Sequence, residues 1–181
     1  MMRRSLLLSV TLVCLGTSTF SVAGPPFGGP GDLADAKAVW RALSTRHLVG
    51  PGRIMSTPYV GQPPHGKILD TLSGQLTVNG HTGPVIIKRN YRGSDATKQS
   101  VANDPEEYLA SVTVMFKRER GYDPADRDWF WAKYKPDGSL HTNPKGMKLA
   151  GRVAKGAPKG CIACHRGAPG GDFVFNNDRY R

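Results

Sequence analysis

The stretch Thr82-Gly83-Pro84-Val85-Ile86-Ile87-Lys88-Arg89-Asn90-Tyr91 sets β-branched residues and an aromatic behind a Gly-Pro pair, the composition of a strand. Two further stretches read alike. Residues 109–117 contain Val112-Thr113-Val114-Met115-Phe116, and Asp128-Trp129-Phe130-Trp131-Ala132-Lys133-Tyr134-Lys135 runs into the turn sequence Pro136-Asp137-Gly138. Lys67-Ile68-Leu69-Asp70, after Pro64-His65-Gly66, reads as another strand. Only Leu33, Ala36, Val39, Trp40 and Leu43 recur at helical spacing, with Asp32 as the expected cap and an end near His47-Leu48. A four-helix bundle needs four such helices, which this chain does not supply. Residues 93–107 are polar and read as a loop or short helix, and 151–160 as a basic, glycine-containing loop. The chain is thus mostly β with one clear helix, and its 181 residues suffice for a single core.

The N-terminus reads as a signal for export. Met1-Met2-Arg3-Arg4 is followed by an apolar run over residues 6–15 and then by small residues ending in Ser21-Val22-Ala23. Cleavage is expected after Ala23. The apolar run is short of the ~20 residues a spanning helix needs, and Val13 fits poorly before a lipid-modified Cys14. This divides the chain into a signal peptide (1–23), a flexible Pro/Gly-rich lead-in (24–31) and one domain (32–181), and it places the product in the periplasm or outside the cell. Loss of Arg3 and Arg4 lowers the formal charge from +11 by two, to +9. The basic residues are spread along an exported chain, so no nucleic-acid partner is expected; they read as a solvated surface or as a docking face for an acidic redox partner.

The mature chain keeps only Cys161 and Cys164, in Cys161-Ile162-Ala163-Cys164-His165. A disulfide closing so short a loop would stabilise little, which points to a chemical role. C-x-x-C-H is the attachment pattern of c-type haem: two thiols on one turn can add to two vinyl groups, leaving the next imidazole beneath the iron. A thioredoxin-like pair or a zinc half-site would need a context that is missing here. One covalent haem c per chain is therefore expected, with His165 as iron ligand. The 16 residues after His165 contain no Met, His, Cys or Lys, so the arrangement with a downstream sixth ligand is excluded.

The order of these parts resembles the cytochrome P-460 family and its non-cross-linked relatives, the β-type cytochromes c′. It covers Pro64-His65-Gly66, Gly83-Pro84-Val85-Ile86-Ile87-Lys88, Val112-Thr113-Val114-Met115-Phe116-Lys117, Asp128-Trp129-Phe130-Trp131, the haem motif and Asp172-Phe173-Val174-Phe175. The resemblance implies an α+β fold, mainly antiparallel sheet flanked by helices, with five-coordinate resting iron. It implies hydroxylamine oxidation to nitric or nitrous oxide, with electrons passed to an external partner such as a soluble cytochrome. It also sets Lys88 where family members bond a lysine nitrogen to the porphyrin. Capture of nitric oxide without turnover and plain electron transfer are the alternatives, and a homodimer is left open.

A distal base is harder to find. Residues 143–160 contain no Asp or Glu, so Asp70 is the candidate carboxylate, with an outward-facing strand residue as its other reading. Met147 is the best methionine for a sixth ligand, Met115 reads as core, and His65 and His141 as exposed turn residues. Trp129 and Trp131 should share one strand face and Phe130 the other, with Phe173 and Phe175 packing at the haem edge.

Overall fold

The computed structural model describes residues 26–175; the leader and its cleavage point lie outside them. Strand β1 (Tyr59–Val60) precedes a long hairpin of β2 (Ile68–Val78) and β3 (His81–Tyr91), paired from Ile68↔Tyr91 to Val78↔His81. Asn79 and Gly80 turn it with φ of 50° and 83°, the left-handed pair that a two-residue hairpin demands. Helices α2 (Lys98–Asn103) and α3 (Pro105–Tyr108) occupy the polar stretch and lead into β4 (Leu109–Lys117), then β5 (Trp129–Tyr134) and β6 (Ala150–Gly151). The six strands follow in sequence order, each antiparallel to its neighbour. β3 begins earlier than its composition suggests and takes in Pro84. Pro84 faces Gln75 of β2, while pairing with β4 starts only at Val85, so its missing N–H removes no bond from that ladder.

Alternation gives the sheet two distinct faces. One carries Val85, Ile87, Val112, Val114, Phe116, Phe130 and Tyr134, and it is covered by helix α1 (Pro30–Thr45) through Ala36, Val39 and Leu43. The Tyr134 hydroxyl donates to the Ala36 carbonyl at 2.9 Å, and the Trp40 ring packs at a tilt of 42° against the Tyr134 ring, centroids 4.8 Å apart. The helix starts before the expected Asp32 cap. Gly29 caps it, Pro30 takes the first turn where no N–H is needed, and Asp32 accepts the Gly29 N–H at 3.3 Å.

The other face builds a smaller core from Met115, Trp129, Trp131, Val153 and Ile162, and Phe27 joins it. The lead-in is therefore not a free arm from Phe27 onward. Phe27 is buried, and the Gly28 N–H donates to the Ala150 carbonyl at 2.9 Å. An apolar ring has more to gain from that core than a short glycine-rich segment loses in conformational entropy.

Candidate functional site

On the second face neighbouring strands align Thr71, Lys88, Thr113 and Lys133 in one row, and Ser73, Ile86, Met115 and Trp131 in the next. These side chains line a cavity of about 830 Å³, walled by Phe27, Met147, Leu149 and Val153. Cys161, Cys164 and His165, from helix α4 (Cys161–His165), line the same cavity. Three-residue spacing sets the two thiols on one side of the turn, and both are unbridged.

Two fastenings hold α4 in place. A 3₁₀ turn (Pro124–Asp126) between β4 and β5 buries Asp123 and Asp126, which pair with Arg152, Lys155 and Arg166 on either side of the motif. Beyond the motif, Asp172 pairs with Lys117 at 2.6 Å and its carbonyl accepts the Trp129 indole N–H at 2.8 Å.

That second fastening orients His165. Its Nδ1 lies 2.7 Å from the Phe173 carbonyl, which can only accept, so the proton sits on Nδ1 and the lone pair of the neutral ring on Nε2. Trp131 and Phe175 meet the imidazole edge-on at centroid distances of 4.8 and 5.2 Å. Trp129 and Trp131 do share the cavity-side core, with Phe130 in the core under α1.

Lys88 lines the cavity, half-buried beside Ile86. Asp70 does not line it. Register decides this: Asp70 faces Arg89 across the hairpin and Thr71 faces Lys88, so Asp70 lies on the α1 side. There it is 0% exposed, pairs with the equally buried Arg89 at 3.2 Å and accepts the Tyr91 hydroxyl at 2.6 Å. Burial pushes its carboxyl up, while Arg89 and Tyr91 pull it back. Neither an outward-facing residue nor a cavity base, Asp70 belongs to a structural ion pair.

His65, read from its turn neighbours as exposed, is half-buried and lines the cavity. Its Nδ1 lies 3.0 Å from Asn90 Oδ1, and its ring is 6.4 Å from that of His165. Burial, followed by the nearby Lys88 charge, pulls its pKa down to about 4, so the ring is neutral at neutral pH. The one signal available in the sequence was Asn90, a polar residue on the Lys88 face of an apolar strand. Met115 and Met147 both reach the cavity, whereas Met55 lies on the Asp70 side, touching Arg89 and Tyr91.

Comparison with known families adds one match. The cytochrome P460 model covers residues 74–176. The chain belongs to the cytochrome P460 family. No curated protein and no solved structure matches it. Membership of the cytochrome P460 family makes this a haem cytochrome, and the matched stretch includes Lys88, Cys161, Cys164 and His165 but not His65 or Asp70.

The cavity suits the cofactor of a cytochrome P460 in three respects. Its volume falls in the range of about 300–1,000 Å³ that holds cofactor-sized ligands, and its walls are largely apolar. Lys88, Lys133, Lys145 and Lys159 line it with no Asp or Glu among the described lining residues, while Lys155 is taken up by Asp123 and Asp126; this favours a ligand bearing two carboxylates. The buried Trp131 indole N–H has no acceptor among the described residues, leaving a donor for such a ligand. No helix of the described residues is long and apolar enough to cross a membrane.

Proposed function

We propose that this is an exported cytochrome P460 that oxidises hydroxylamine at a covalently held haem c, one per chain, and passes the electrons to an external carrier. The observation that carries this reading is the convergence of both thiols, the Nδ1-protonated His165 and Lys88 on one cavity. In it Cys161 and Cys164 would form the thioether links, His165 Nε2 would hold the iron, and Lys88 would bond the porphyrin edge. The bound haem supplies an electron sink and a position for a nitrogen ligand.

The chain's own residues supply the remainder. The apolar walls exclude bulk water, which strengthens polar interactions inside. Lys133, whose pKa is lowered by burial and then by Arg92, stands with Trp131 where the anionic edge of a cofactor can be held. Oxidation of hydroxylamine to nitric oxide releases protons and electrons in equal number, so a proton acceptor is needed near the cavity. The charged N-terminus, short apolar run and Ala23 support export.

The test is expression of the full chain in a host that matures c-type cytochromes. The expected product has the mass of polypeptide plus one haem, a red-shifted ferrous Soret band, and reduces an added acceptor when given hydroxylamine. Lys88→Leu should return the band to the ordinary c-type position. An acceptor that stays oxidised would remove the enzymatic reading and favour capture of nitric oxide, and an unshifted band in the unaltered protein would remove the lysine link.

A further inference from the structure

We propose that His65 is the second axial ligand of the iron, opposite His165, so that an incoming nitrogen ligand has to displace it. This rests on the reading of His165 as the first ligand, and it departs from the five-coordinate resting state that the family resemblance implies.

Distance carries the argument. Metal–imidazole bonds run to about 2.0–2.1 Å, as for zinc, so two rings bound through Nε2 on opposite sides of one ion have centroids roughly 6–6.5 Å apart. The His65 and His165 centroids are 6.4 Å apart, with ring planes at 83°. A distal histidine that merely contacted an iron-bound molecule would stand farther off.

Hydrogen bonding gives His65 the tautomer a ligand needs. Asn90 is buried, and its Nδ2 donates to the carbonyls of Lys88 and Ser111 at 3.2 and 3.1 Å, which turns Oδ1 towards His65. Oδ1 therefore accepts from His65 Nδ1–H, and the lone pair lies on Nε2. A ligating histidine with its other nitrogen tied in this way is the usual supporting arrangement at a metal.

The backbone fixes the position. Lys67 N–H donates to the Tyr91 carbonyl at 3.0 Å, and Gly61 N–H to the Lys67 carbonyl at 2.8 Å, closing the loop onto the end of β3. A side chain at Gly66 would meet the Tyr91 backbone nitrogen and oxygen at 2.6 and 2.5 Å, so only glycine lets the loop lie this close. An entering nitrogen ligand would take the place of His65 Nε2 on the iron. In that exchange the bond from iron to His65 breaks and one to the entering nitrogen forms, with no change in electron count.

Spin state tests this on the haem-loaded full chain. The ferric protein should be low-spin, with the strongly anisotropic EPR signal of near-perpendicular imidazoles, and His65→Ala should be high-spin. Azide should bind His65→Ala at least about tenfold more tightly, since a self-ligand in place nine-tenths of the time weakens apparent affinity by that factor. Added imidazole should restore the low-spin signal in His65→Ala, which separates loss of a ligand from loss of folding; His65→Met should stay low-spin. High-spin ferric protein with haem c present, or a low-spin signal unchanged in His65→Ala, overturns the assignment alone. Absence of covalent haem overturns it together with the proposed function.

Discussion

Asp70 and Arg89 are both fully buried, and taking away one of them strands the other's charge. Asp70→Ala should destabilise the protein by about 3–5 kcal/mol, as expected when one partner of a buried pair is deleted. The denaturant midpoint should fall while the haem spectrum of the folded fraction stays unchanged; an altered spectrum would return Asp70 to the site. A one-residue shift in register carries a side chain through the sheet, and no property of Asp70 alone tells which way it points. Lys88 was legible because a motif preceded it and Ile86 shared its face. His65 was not, because Pro64 and Gly66 mark a turn without showing that the turn folds back onto Asn90.

At the level of elements, the motif helix has only five residues and little capacity to hold itself, so its position depends on the turn between β4 and β5. Arg166 donates twice to one oxygen of Asp126, through Nε at 2.9 Å and Nη2 at 2.6 Å. Asp126→Ala removes these charge-assisted bonds and should cost about 1.5–3 kcal/mol. The cations can turn to water, so the loss stays below that of a fully buried pair. A thermal melt should drop by several degrees and haem incorporation should decline; an unchanged melt would show that α4 is held elsewhere. The strands were readable because β-branched and aromatic residues cluster in them. The two-residue edge strands and the anchoring of Phe27 were not, since both depend on distant partners that local composition does not encode.

Over the whole molecule, positive charge prevails at +11 for the full chain, and lysines line the cavity. If electrons leave for an acidic carrier, its reduction should slow by about tenfold or more from low to high salt, because screening removes the steering. A small neutral acceptor should feel no such change, and equal salt dependence for both would exclude a docking face. The strictly sequential sheet has a separate consequence for assembly. Every strand pairs with the one that precedes it in the chain, so the barrel-less meander can zip up strand by strand without waiting for distant chain. The cysteines arrive last, on a segment the sheet does not need for its own pairing. A polypeptide truncated before residue 152 should therefore retain its β signature in circular dichroism, and the proposed joining of haem to those cysteines would then be a late event performed on a half-finished vessel.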